Sequence, residues 1–168
     1  MLSLNTEQTL HEDFKMRMKA YQITIPAENK PGVLAAVTSI LAKEKINIRA
    51  IAITSFGQSG FFHMMVDDPE RGRKVLVKAG IDANLNEIIA VLIPDKPGGL
   101  DKLVQVLVAG HINIENAYGF VLESRKNAVF VIDVKNPDET EAFLKKAGYQ
   151  ILSSQALCEI EPFHYMKY

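Results

Sequence analysis

The chain repeats itself. The triplet Lys-Pro-Gly occurs at Lys30–Gly32 and again at Lys96–Gly98, each time ahead of an apolar periodic run that ends in Ile-Asn-Ile, at Ile46–Ile48 and Ile112–Ile114. Pro31 and Pro97 are 66 positions apart, as are Asn47 and Asn113, whereas Gly80 and Gly148, each closing a Lys-Ala-Gly triplet, are 68 apart. A fixed internal period means that one supersecondary unit is used twice, and this constrains the fold more than any local propensity. The two extra residues fall where "TSFGQSGF" faces the longer "VLESRKNAVF", which reads as length variation in a hairpin loop.

Each copy has the same order of elements. "YQITIP" and "EIIAVLIP" are short β-rich runs stopped by proline and read as the first strand. Val33, Leu34, Val37, Ile40 and Leu41, matched by Leu100, Leu103, Val104 and Leu107, recur at three- and four-residue intervals and give a helix one buried face. Pro31 and Pro97 are expected in the first helical turn, where no donor is needed. "INIRAIAIT" with "FFHMMV", and "INIENAYGFV" with "AVFVIDV", read as hairpins. "DPERGRKVLVKAG" and "NPDETEAFLKKAG" open on a capping residue and proline, carry basic residues late and stop at glycine, so they read as second helices. A last strand near "IDANLN" and near "YQILSSQALCEI" completes β-α-β-β-α-β twice. The expected class is α+β, two ferredoxin-like units with antiparallel sheets. The boundaries read as an N-terminal extension over 1–19, units over 20–86 and 87–158, and a tail over 159–168.

Units of this size bury little surface alone, so they are expected to share an interface. With 48% hydrophobic and 23% charged residues in 168, the chain falls in the globular class. A net charge of −1 offers no attraction for nucleic acid or anionic lipid. No stretch is apolar and long enough to span a membrane, the N-terminus lacks the apolar core of a signal peptide, and the single Cys158 has no internal disulfide partner. A cytoplasmic location is the default expectation.

The loop from first strand to first helix carries the chemistry. It exposes unpaired N–H groups at the positive end of the helix dipole, which suits an anion. Gly32 and Gly98 lack a Cβ, so a carboxylate could approach the backbone of Gly32 and Val33, or of Gly98 and Gly99. Asn29 before the turn and Asn47 at the start of strand two could offer amides to the same ligand, and a free α-amino acid would satisfy both. The same residues also serve a helix start with no ligand, Asn29 acting as a cap and each Ile-Asn-Ile as an edge-strand start.

"NKPGVLAAVTSILAKEKINIRAI" and "DKPGGLDKLVQVLVAGHINIENA" resemble the ACT domain, a small regulatory module, over roughly residues 20–157. The resemblance implies amino-acid binding between paired units, the loop of one unit meeting a partner across an interface. It places a first site at Asn29, Lys30, Pro31, Gly32, Val33 and Leu34 with Asn47 and Ile48. A second site falls at Asp95, Gly98, Gly99 and Leu100 with Asn113 and Ile114. Where some members carry a histidine two residues before the loop asparagine, this chain has Ala27 and Ile93. Asp95 replaces Asn29 and would repel a ligand carboxylate, so the first loop is expected to be the better site.

Rival readings are weaker. An RNA-recognition module needs basic residues and exposed aromatics on its third strand, and "FFHMMV" has no Lys or Arg. A metal carrier would need paired thiols near the first loop. His11, His63, His111 and His164 stand apart, with no nucleophile motif or metal-ligand spacing around them. His63 reads as a satisfied interior histidine, and His111 suits a helix C-terminus. Phe163, Tyr165, Met166 and Tyr168 form an aromatic cluster expected to pack, and Met16 and Met18 mark an upstream extension. The expected function is that of a stand-alone, non-enzymatic tandem regulatory protein. It would bind a free amino acid, preferring an uncharged side chain near Leu34, Ile51 and Ala52, and would signal through its own association as a homodimer or through an amino-acid metabolic enzyme. The alternative is a protein-interaction subunit of such an enzyme without its own ligand site. No cofactor or metal is expected.

Overall fold

The computed structural model describes residues 18–159, and the expectations about His11, Met16, His164 and the C-terminal aromatic cluster lie outside them. The described residues divide into two compact units, a first of Tyr21–Asn86 and a second of residues 87–159 with residues 18–20.

In the first unit, strand β1 (Ala20–Glu28) leads to helix α1 (Val33–Lys43), the hairpin β2 (Ile48–Phe56) and β3 (Ser59–Val66), and helix α2 (Pro69–Lys78). Both strand pairs are antiparallel with β3 in the centre: Ile23 and Ile51 face Met64, and Ile25 and Ile53 face Phe62. Residues opposite one another share a face, so Ile23, Ile25, Phe62 and Met64 form one apolar surface. Val37 and Leu41 of α1 and Leu76 of α2 close over it. Gly72 lets α2 come this near, since a Cβ there would lie 2.8 Å from Ile23 Cδ1.

In the second unit, β4 (Asn84–Pro94) leads to α3 (Gly99–Ala109), β5 (Asn116–Glu123), β6 (Asn127–Asp133), α4 (Pro137–Lys146), the two-residue β7 (Ile151–Leu152) and α5 (Ser154–Glu159). β4 pairs with β6 and β7, and β6 with β5, all antiparallel. Ile89, Val91, Ile93, Leu103, Leu107, Ile132 and Leu144 make the core. The clamp on Lys19 also belongs to this unit: its Nζ lies 2.6 Å from Asp138 Oδ1, 2.7 Å from Glu141 Oε2 and 3.1 Å from Glu87 Oε1. Burial alone would lower the Lys19 pKa, but the three carboxylates outweigh it and hold it above its ordinary value.

Three details depart from the sequence reading. The last strand of the first copy and the first strand of the second are one continuous β4, because neither Gly nor Pro interrupts the stretch before Pro94 and Asn84 and Asn86 both stay extended. The final strand is short because Ser153, whose Oγ accepts the Ala156 N–H at 3.1 Å, caps a helix instead. Pro31 and Pro97 precede the first helices rather than opening them; the caps are Gly32 (φ 91°) and Gly98 (φ 82°), both left-handed. The two extra residues of the second copy are accounted for. Its hairpin has three loop residues instead of two, and a bulge at Leu122 breaks the register between Val121 and Glu123.

Candidate functional site

In the first unit the loop after β1 is stapled to the hairpin turn. Asn29 N–H donates to Gln58 O at 2.9 Å, and its side-chain Nδ2 donates to Gly57 O at 3.0 Å. Asn29 is therefore a loop-to-hairpin tie and not a helix cap. Gly32 carries no side-chain cap, and its carbonyl takes the first helical bond from Ala36 N–H at 3.0 Å. The N–H groups of the first turn lack intrahelical partners, as at any helix start. Beside them opens a cavity of about 230 Å³. One wall is the loop, Asn29, Lys30, Pro31 and Gly32, with Leu34; the other is Ile53, Thr54 and Ser55 of β2, with Ala27, Phe62 and Gly60 between. Gly60 pairs with Ala27 on one side and Ser55 on the other, and a Cβ on it would lie 2.2 Å from Thr54 O. The site therefore joins backbone donors for a carboxylate to an apolar trough for a side chain.

Of the residues singled out in the sequence, Asn29, Lys30, Pro31, Gly32 and Leu34 line this cavity. Val33 packs on the core instead, as does Ile48. Asn47 is at the other end of the sheet. Its N–H donates to Asp67 Oδ1 at 3.1 Å, and all of β2 separates it from the turn that holds Asn29, roughly 30 Å at about 3.3 Å per residue. Strand, returning helix and strand form a hairpin-like path, so residues at the start of the loop and at the start of strand two cannot meet within one unit. The contacts expected from Ile51 and Ala52 fall to Ile53 and Thr54, further along β2. Gly60 and Phe62 went unrecognised; the alternation of "GFFHMMV" was the available signal, since Phe62 shares the face of Met64.

The second loop is built differently. Asp95 N–H donates to Lys126 O at 3.0 Å, and Asp95 Oδ2 accepts the Arg125 N–H at 2.6 Å. Gly99 is buried under the Pro94 carbonyl, where a Cβ would come to 2.2 Å, and its N–H bonds Lys96 O at 2.9 Å. Gly98 and Leu100 are exposed, Ile114 packs on the core, and Asn113 lines a separate cavity.

His63 is 9% exposed, with Nδ1 3.4 Å from Thr24 Oγ1, and burial lowers its pKa below 6.5. It is thus a neutral, partnered side chain. His111 adopts φ 54° and closes the end of α3 by donating its N–H to Val108 O at 3.0 Å. Among the described residues no group of three acidic, histidine or cysteine side chains could hold a metal, and no helix is long and apolar enough to cross a membrane.

Residues 18–160 match the family profile of the ACT domain pair. A Bacteroides thetaiotaomicron protein of known structure is 32% identical, with a TM-score of 0.78 over 84% of this chain and 97% of that one. The ligand-free regulatory subunit of aspartate kinase from Thermus thermophilus is 21% identical, with a TM-score of 0.58 over 79% of this chain and 95% of that one. The regulatory subunit from Thermus flavus is 23% identical, with a TM-score of 0.54 over 78% and 92%. No curated protein sequence matches the chain.

Proposed function

The chain belongs to the ACT domain pair family, and from that premise we propose that it is a non-catalytic regulatory protein that binds a free amino acid at the loop of the first unit. The observation that carries this reading is the cavity of about 230 Å³ in which the Gly32 loop faces Ile53 and Phe62. The ligand carboxylate lies on the first-turn N–H groups of α1, and its side chain lies along Leu34, Ile53 and Phe62. An uncharged aliphatic side chain fits this wall, because a charged one would be left poorly solvated. The ammonium group faces outward, where the Asn29 side-chain oxygen remains available.

The signal passes by association. β2 has one neighbour in the sheet of its unit and exposes Ile51, Ile53 and Phe56, so a second copy pairing there would cover apolar surface and an open strand edge. An amino-acid metabolic enzyme is the natural partner, since two structures of the same fold are regulatory subunits of aspartate kinase.

A thermal-shift screen of the twenty amino acids tests binding. A ligand at 100 times its Kd adds about 2.7 kcal/mol of stability. Ile53→Asp places a carboxylate in the trough at a position 55% exposed. It is expected to abolish the ligand shift, and because Ile53 also lies on the β2 face offered to a second copy, light scattering at the same concentration separates a lost ligand contact from lost association. No shift from any amino acid, or selective stabilisation by lysine or aspartate, refutes the reading.

A further inference from the structure

In the second unit the first turns of α4 hold a segment of chain by a lysine. Asp138 and Glu141 take the Lys19 ammonium at 2.6 and 2.7 Å, and the Lys19 carbonyl accepts the Ser154 N–H at 2.9 Å just beyond β7. The repeat supplies an internal comparison. Its 68-residue offset carries Asp138 to Glu70, Glu141 to Arg73, Ala142 to Lys74, Leu152 to Asn84 and Ser153 to Leu85. Those five residues of the first unit line an open groove of about 340 Å³ between α2 and the start of β4.

The groove keeps its place and reverses its sign. Arg73 puts a guanidinium where Glu141 puts a carboxylate, Lys74 adds an ammonium where Ala142 has none, and Asn84 offers an amide where Leu152 is buried and apolar. Only Glu70 stays acidic, and Lys74 lies 3.6 Å from it. The helices as wholes follow the same reversal. α2 carries Arg71, Arg73, Lys74 and Lys78 against Glu70, whereas α4 carries Asp138, Glu139 and Glu141 against Lys145 and Lys146. Arg71 is committed to Glu44, its Nη2 donating to the carbonyl at 2.6 Å, while Arg73 stands exposed at the groove. Leu85, packed on the first-unit core, gives the groove an apolar floor. A surface that binds a cationic segment in one copy and carries the opposite charge in the other selects an acidic segment.

We propose that the α2 groove of the first unit is a docking site for an acidic segment of a partner protein. A carboxylate side chain of that segment takes the place that the Lys19 ammonium has in the second unit. The Arg73 fork and Lys74 hold it, the Asn84 amide is a further donor, and Leu85 lies under its methylene groups. Docking here uses none of the residues of the Gly32 cavity, so it stands or falls separately from amino-acid binding at the loop.

NMR on the full chain, reading the Arg73 Nε–H and the Asn84 side-chain amide, tests the proposal. The probes are three capped peptides of the pattern Gly-Ser-X-Leu-X-Ser, in which X is glutamate, glutamine or lysine, and inorganic phosphate. Saturable shifts of both groups are expected with the glutamate peptide. The glutamine and lysine peptides are expected to bind at least about fivefold more weakly, and added salt to weaken the glutamate peptide. Arg73→Glu installs the residue of the second copy at an exposed position. It is expected to lose the glutamate peptide and gain the lysine peptide, read at Asn84, while the Leu41 and Leu76 core methyls stay in place. Silence at both groups overturns the site, as does a glutamate peptide that binds Arg73→Glu as it binds the parent chain. Phosphate that binds as tightly as the glutamate peptide reduces the groove to a free-anion site and overturns the docking of a segment.

Discussion

The two loops do the same job with opposite chemistry. Asn29 donates its amide to the Gly57 carbonyl, whereas Asp95 accepts the Arg125 N–H, and each ties its loop to the neighbouring hairpin. The polarity follows the hairpin. A two-residue turn with Gly57 at φ 64° presents a carbonyl, and a three-residue turn with Arg125 at φ 63° presents an N–H. The Asn-to-Asp difference, read from sequence as a change in ligand charge preference, is first a complement to hairpin length. The Asp95 charge is committed to a backbone donor rather than aimed at a ligand.

The comparison is sharpened most by exchanging residues across the repeat. Gly99→Val, which installs the residue found at Val33, drives a side chain into the Pro94 carbonyl. It is expected to destabilise the second unit by about 2–3 kcal/mol in urea unfolding, because the clash is with backbone, whereas Val33→Gly loses the packing of Val33 on the core together with helix propensity and costs about 1–2 kcal/mol for that different reason. A neutral Gly99→Val would show that the loops are built alike. The tie residues come next. Asn29→Asp would set a carboxylate against the Gly57 carbonyl, and Asp95→Asn would weaken the 2.6 Å bond to Arg125 N–H; each is expected to cost about 1–2 kcal/mol. If either exchange is neutral, the tie does not hold the loop.

The clamp of the second unit distinguishes the copies by pH. Burial alone would push the Glu141 carboxyl up, but Lys145 and Lys19 hold it below its ordinary 4.5. The stability it contributes is present above 4.5 and lost as pH falls through the lowered value. Lys19 has the reverse sign: its contribution is present below 10.5 and lost only as pH rises through its raised value. Acid unfolding followed by residue-resolved hydrogen exchange should therefore show the second unit losing protection below pH 4.5, with the slope reduced in Lys19→Met. An unchanged slope would remove the clamp from the account. The smallest effect is expected from Asn47→Ala, an exposed site whose structural bond uses the backbone N–H; stability should change by less than about 0.5 kcal/mol.

Much of the architecture was legible because it rests on periodicity. The 3.6-residue spacing of Val33, Val37 and Leu41 and the alternation of Phe62 and Met64 are local properties of the chain, and they give the elements and their buried faces directly. The repeat then gave the order of elements twice, and the 66- and 68-residue spacings located the longer hairpin. The loop residues Asn29 to Gly32 were also within reach, since Pro-Gly before a periodic run marks a helix start wherever it occurs.

The site as a cavity was not legible. Gly60, Phe62 and Ile53 reach it through strand register, which depends on which residue of β3 faces which of β1 and β2. Asn47 was grouped with Asn29 by its amide chemistry, and the length of β2 places it at the far end. The role of Asp95 needed the conformation of a turn 30 residues away, at Arg125. The sequence by itself determined which elements form and which faces are apolar, because helix and strand periods are set by neighbours along the chain. Only the tertiary structure decided which hydrogen bonds close a loop and which residues line the cavity beside it, because those depend on groups brought together across the sheet.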